Sequence, residues 1–156
     1  MRDSAYDSNW MQDVEKLFRA LADEERLRIL SLLLFNQNGA CVCELVDALR
    51  IPQYQVSRQL GALRDAGLVA GEKRGTWVYY SIATGLPPLS GAIVDDLMAH
   101  LESAGLAEDR NRFVKRLHLR DGGVCTVGYE PDLPFREIIP VRDIKSLEGG
   151  TSIGQS

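Results

Sequence analysis

Apolar residues recur along this chain at helical spacing, then briefly at strand spacing, then at helical spacing again. From Trp10, the residues Met11, Val14, Leu17, Phe18 and Leu21 fall three and four apart, which puts them on one face of a helix. Residues 1–9 are polar and read as a flexible arm. Asp23 is placed to cap a second helix, EERLRILSLLLF, whose Leu27, Leu30, Leu33 and Leu34 make an apolar stripe ended at Asn38-Gly39. A short helix is expected over Val42 to Leu49. Pro52 then forces Ile51 out of helical geometry. A longer helix follows from about Gln53 to Ala66 with Val56, Leu60 and Leu63 inward, stopped by Gly67. LVAG and TWVYYSI read as two strands joined through Glu72, Lys73, Arg74 and Gly75. Two more helices are expected, at about Leu89 to Ala104 and Ala107 to Leu119, before a Gly- and Pro-containing tail over 121–156 that reads as loosely ordered.

A two-turn helix, a break, a longer helix and a hairpin, in that order, spell a winged helix-turn-helix. The expected fold is mainly α with a small β-hairpin, one domain over residues 10–120. Only an element about as wide as an α-helix enters the major groove of DNA and reaches base edges. The second helix of such a unit must therefore expose hydrogen-bonding side chains. Gln53, Tyr54, Gln55, Ser57, Arg58 and Gln59 meet that need, since Gln pairs with adenine and Arg with guanine in bidentate fashion. Lys73 and Arg74 at the hairpin tip would contact phosphates or the minor groove.

Charge at first argues against this reading, because the chain carries a net −4. Its distribution restores the picture. Residues 1–49 sum to −4 and residues 81–156 to −3, whereas residues 50–80, with Arg50, Arg58, Arg64, Lys73 and Arg74 against Asp65 and Glu72, sum to +3. The one positive stretch holds the proposed reading helix and wing. No apolar run approaches the ~20 residues that cross a bilayer, and the N-terminus carries no charged-then-apolar leader pattern. A cytoplasmic location without membrane contact is the expectation.

Three cysteines, Cys41, Cys43 and Cys125, are too few and odd in number for a disulfide framework. Thiolates are soft ligands that select thiophilic ions over Mg²⁺ or Ca²⁺. Cys41 and Cys43 stand two apart, a spacing that does not share a face of a regular helix. They can grip one ion only where the chain is extended or the first helical turn is distorted. An ion held there would bias the helix that supports the reading helix, provided it binds the two states unequally. A redox device is the rival, with either cysteine forming a disulfide or polysulfide with Cys125. A thiol enzyme finds little support: there is no Cys-x-x-Cys pair, phosphate loop or Ser/His/Asp set. A winged helix used only to bind protein would lack salt-dependent DNA affinity.

The segments ALADEERLRILSLL, CVCELVDAL, QVSRQLGALRDAGLV and KRGTWVYYSI resemble the ArsR/SmtB family of metal-responsive repressors, over about residues 10–105. The resemblance implies a homodimer joined through its first and fifth helices, and an operator whose two-fold symmetry mirrors the protein's. CVCEL resembles the arsenic- and antimony-responsive members, which implies As(III) or Sb(III) as inducer and no organic cofactor. Many of those carry a third cysteine where this chain has Val46. Cys125 is the remaining thiol that could complete the site, from its own or the partner chain. Cadmium- and lead-sensing relatives add cysteines from the N-terminal arm, and residues 1–40 contain none. Zinc-sensing relatives use carboxylates and histidines on the last interface helix. His100 has Asp95 and Asp96 nearby but no partner histidine at the needed spacing, and both His100 and His118 read as ordinary surface or interface residues.

Overall fold

The computed structural model describes residues 4–103, 106–126 and 128. The chain runs α1 (Ser4–Leu21), α2 (Glu24–Phe35), β1 (Ala40–Cys41), α3 (Val42–Leu49), α4 (Gln53–Asp65), β2 (Val69–Arg74), β3 (Trp77–Ile82), α5 (Pro88–Ser103) and α6 (Ala107–Leu117). The mainly helical reading with a small hairpin holds, and the local signals act where they stand in sequence. Asp23 caps α2 by accepting the Arg26 N–H at 3.0 Å. α3 and α4 are split at Ile51-Pro52, and Val56, Leu60 and Leu63 are fully buried.

Three features depart from the pattern. α1 starts at Ser4 rather than Trp10, while residues 1–3 of the expected arm lie outside the described part. α2 is buried on all sides from Ile29 to Leu34, not along one stripe, because it is the central element. α1, α3, α4, α5, α6 and β3 all pack against it. The hairpin gains a third strand: β1 joins the outer side of β3, giving the antiparallel order β1-β3-β2 with Ala40 opposite Tyr80 and Cys41 opposite Tyr79. Gly39 admits this crossing. It has φ +87°, and a Cβ there would sit 3.1 Å from the Tyr80 carbonyl oxygen.

The wing is a two-residue hairpin, since Arg74 pairs with Trp77 and leaves Gly75 and Thr76 as the loop. Gly75 takes φ +62°, as a tight turn between twisted strands requires. β3 faces two ways. Tyr80 and Ile82 pack on the main core of α2, α3 and α4 side chains. Tyr79 and Trp77 pack instead with Cys41, Cys43 and Cys125 in a separate small cluster. Of the expected tail, residues 121–126 and 128 are described. Asp121 and Val124 form a bridge and Cys125 is fully buried. The rest of the tail lies outside the described residues.

Candidate functional site

The reading helix presents most of its expected face. Gln53, Tyr54, Ser57 and Arg58 are exposed and Gln55 is half-buried. On the wing, Lys73 is exposed, and Arg74 is exposed while bonded to Glu72 at 3.0 Å and set over the Tyr79 ring at 4.7 Å. Gln59 does not belong to that face. It is 6% exposed, accepts from Arg26 Nη1 at 2.8 Å and donates to Glu25 at 3.0 Å. Arg26 also donates to the carbonyls of Ala20 and Arg19 at the C-terminal end of α1. Gln59 is thus a joint between α1, α2 and α4. Helical periodicity puts it one turn on from Gln55, but the Arg26 guanidinium and the Glu25 carboxylate claim its amide.

The cysteine cluster lies at the start of α3, against Tyr79 and Trp77 of β3. The sulfurs of Cys41, Cys43 and Cys125 all lie within 4.8 Å of one another. Cys43 Sγ and Cys125 Sγ are 3.7 Å apart, although 82 residues separate them in sequence. Cys41 is the N-cap of α3 with extended dihedrals, φ −77° and ψ 158°, and Cys43 is in the first turn. That extended step turns two sulfurs at a two-residue spacing towards one centre, which a regular helix would not do. Val46, three residues after Cys43, is buried in the main core. Cys125 approaches from the far side of the cluster, where its N–H donates to the Tyr79 hydroxyl at 2.7 Å.

α6 and the turn that follows it hold this arrangement with arginines spaced four apart. Arg112 donates to the Ala48 carbonyl at the end of α3. Arg116 donates to Asp47 at 2.6 Å with both side chains out of solvent, and its Nη2 lies 3.6 Å from Cys43 Sγ. Arg120 grips both Glu44 oxygens, at 2.7 and 2.8 Å, and the Gly39 carbonyl at 2.7 Å. Glu44 in turn accepts the Cys41 N–H at 2.8 Å, closing the first turn of α3. Glu44, Asp47, Tyr79, Arg116 and Arg120 were not among the sequence-derived candidates. The signal was present: acids three apart on α3 and arginines four apart along α6 and just past its end are complementary.

The surroundings make the three thiols unequal. The hydrogen bond from Cys41 holds the Cys43 thiol down at about 6 against the opposing effect of burial, with Cys125 and Arg116 also favouring its thiolate. The same hydrogen bond, then burial and Glu44, pushes Cys41 far up. Burial and then Glu44 push Cys125 up to about 11. Of the three, Cys43 is the thiol whose surroundings favour the thiolate. Burial disfavours the charge of Arg116, but Asp47 and Cys43 outweigh it and raise its pKa. Such a set can bind a soft, thiophilic ion without outside charge compensation. His100 and His118, both exposed, stand apart from this cluster.

A polar reading helix, a cationic wing and a cluster of three thiols at the start of α3 define a winged helix-turn-helix DNA-binding regulator with a built-in thiol site. Comparison with known proteins narrows the class. Residues 23–70 match the model described as bacterial regulatory protein, arsR family. The arsenical resistance operon repressor of Escherichia coli K12 is 42% identical over 81 residues, which cover 52% of this chain and 68% of that protein. The arsenic resistance transcriptional regulator ArsR1 of Pseudomonas putida KT2440 is 41% identical over 71 residues, covering 46% of this chain and 55% of that protein. Among solved structures, the homodimeric winged helix-turn-helix DNA-binding domain Mb0332 of Mycobacterium bovis, a possible ArsR-family regulator, superposes with a TM-score of 0.54 at 26% identity, covering 67% of this chain and 93% of that domain.

The chain belongs to the arsR family of bacterial regulatory proteins, and it is a transcriptional regulator rather than an enzyme. Among the described residues, no helix is long and apolar enough to cross a membrane.

Proposed function

We propose that the protein is a homodimeric operator-binding repressor that releases DNA when As(III) or Sb(III) is held by Cys41, Cys43 and Cys125. The observation that carries this reading is the convergence of the three sulfurs within 4.8 Å. Three thiols suit a trivalent, pyramidal, thiophilic centre, whereas tetrahedral Zn²⁺ takes four ligands when its site is closed. Each thiol that joins trihydroxo-arsenic displaces one hydroxide, which leaves as water with the thiol proton, and no oxidation state changes. The close approach of Cys43 and Cys125, at 3.7 Å, supports a second reading in which an oxidant joins them as a disulfide.

Dimerisation is supported by Trp10, Met11 and Phe18, which leave more than half their surface exposed on α1, and by the homodimeric relative. A two-fold dimer calls for a two-fold operator. Gln53, Tyr54, Gln55, Ser57 and Arg58 would read bases, and Lys73 and Arg74 would hold backbone. Arg58→Ala should weaken specific binding by about 1–3 kcal/mol and relax preference at one base pair. Competition binding to single-base operator variants checks this, and an unchanged base preference removes Arg58 from the reading set.

The test of function is fluorescence anisotropy of a labelled duplex carrying the operator, titrated in turn with arsenite, antimonite, Cd²⁺, Zn²⁺ and peroxide. Release by arsenite and antimonite at the lowest concentrations is the expected result. Release by peroxide alone would establish the disulfide reading instead. Release by none, with a flat salt dependence of binding, would end the DNA-binding account.

A further inference from the structure

One buried side chain joins the sulfur cluster to the wing. Tyr79 is 2% exposed and stands midway along β3, where its backbone pairs with Cys41 of β1 on one side and Glu72 of β2 on the other. Its hydroxyl accepts the Cys125 N–H at 2.7 Å, and its side chain packs with Cys41 and Cys125 in the small cluster. Its ring carries two guanidinium groups: Arg74, the last residue of β2 at the wing tip, 4.7 Å from the centroid, and Arg120, the residue that grips Glu44, at 5.4 Å. Tyr79 thus touches two of the three cysteine residues and the cation that ends the wing strand.

We propose that Tyr79 is the coupling residue that passes occupancy of the sulfur cluster to the wing. This rests on the reading that the three sulfurs take a thiophilic ion. An ion shared by three sulfurs draws them to one centre, and both cysteines that touch Tyr79 move with them, Cys125 through the N–H bonded to the hydroxyl and Cys41 through packing and the β1–β3 ladder. A buried hydroxyl does not stay without partners, so the phenol reseats. The ring then withdraws from under Arg74, and the register neighbour of Cys41 shifts within the wing strand itself. Close-packed surroundings turn such a displacement into a change between discrete packings rather than a graded strain. The route runs through β1, β3 and the wing, separate from the path through α3 to the reading helix, and positions Tyr79 without making it a ligand of ion or DNA.

The test uses the full chain on a fluorescein-labelled duplex that the wild-type protein has selected from random sequence, with sodium arsenite as probe. Tyr79→Phe keeps the ring and removes the hydroxyl. The expected result is duplex affinity within about threefold of wild type, the same arsenite protection of the three thiols against a thiol-titrating reagent, and a rise of about tenfold or more in the arsenite needed for half-release. Release at the wild-type arsenite concentration overturns the coupling while leaving the sulfur site in place. Absence of thiol protection in the wild-type chain overturns the site itself. A second measurement needs no variant: arsenite should speed amide exchange at Cys125 and across β2 and β3 of the wild-type protein. Unchanged exchange across the wing, under arsenite that releases DNA, overturns the proposal.

Discussion

Cys43→Ser is expected to keep the protein on its operator at arsenite concentrations that strip the wild type from it. Cys43 is the centre of the cluster: its sulfur lies within 4.8 Å of Cys41, 3.7 Å from Cys125 and 3.6 Å from Arg116 Nη2. It is also the thiol held down at about 6, which favours the thiolate form that a soft ion binds. A serine hydroxyl is a hard oxygen that stays protonated, and the soft ligand is lost with its charge. Cys41→Ser removes the second sulfur from the same turn. Each should raise the arsenite needed for half-release on the order of a hundredfold, near the upper end of ordinary coupling between two sites. Operator affinity without arsenite should stay close to wild type, since neither sulfur faces the reading surface. Anisotropy titration of the two variants checks both halves, and a doubly substituted protein that still lets go of DNA with arsenite would remove these sulfurs from the sensor.

The second large effect is on stability. Arg116 and Asp47 form an ion pair in which neither side chain sees solvent, with a separation of 2.6 Å. Replacing Arg116 by Leu leaves a buried carboxylate without its cation, which costs about 3–5 kcal/mol. For a chain of this size that lowers the melting midpoint by roughly 10 °C. Arg116→Leu combined with Asp47→Leu should recover most of the loss, because an apolar pair of similar volume replaces a buried ion pair at little cost. Urea unfolding of the two single variants and the double variant measures this directly. Equal losses in single and double variants would mean that the arginine acts through Cys43 or the Gly128 carbonyl, which it also contacts, rather than through Asp47.

What could be read from sequence was local. The Asp23 cap, the break at Ile51-Pro52 and the inward set Val56, Leu60 and Leu63 depend on neighbours within a few residues, and each is where the pattern places it. What could not be read was set by distant partners. β1 is two residues long, too short for any periodicity, and exists because Tyr79 and Tyr80 offer it a ladder. Gln59 has the right residue type and spacing for the reading face, yet Arg26 and Glu25 hold it inward. Cys125 reads as a lone cysteine in the tail until α6 and the turn that follows it are seen to dock on α3 through Arg112, Arg116 and Arg120 and return the chain to the start of α3. The Cys41–Cys43 pair stood between these cases. Its spacing demanded an extended step, and the N-cap dihedrals of Cys41 supply it.

The most direct measurement is the arsenic X-ray absorption spectrum of the loaded protein, recorded for the wild type and for Cys125→Ser. Three sulfur neighbours per arsenic in the wild type, falling to two sulfurs and one oxygen in the variant, is the result that a cluster built by Cys41, Cys43 and Cys125 predicts. Arsenic bound with the same sulfur count in both proteins, or held by oxygen alone, would contradict it.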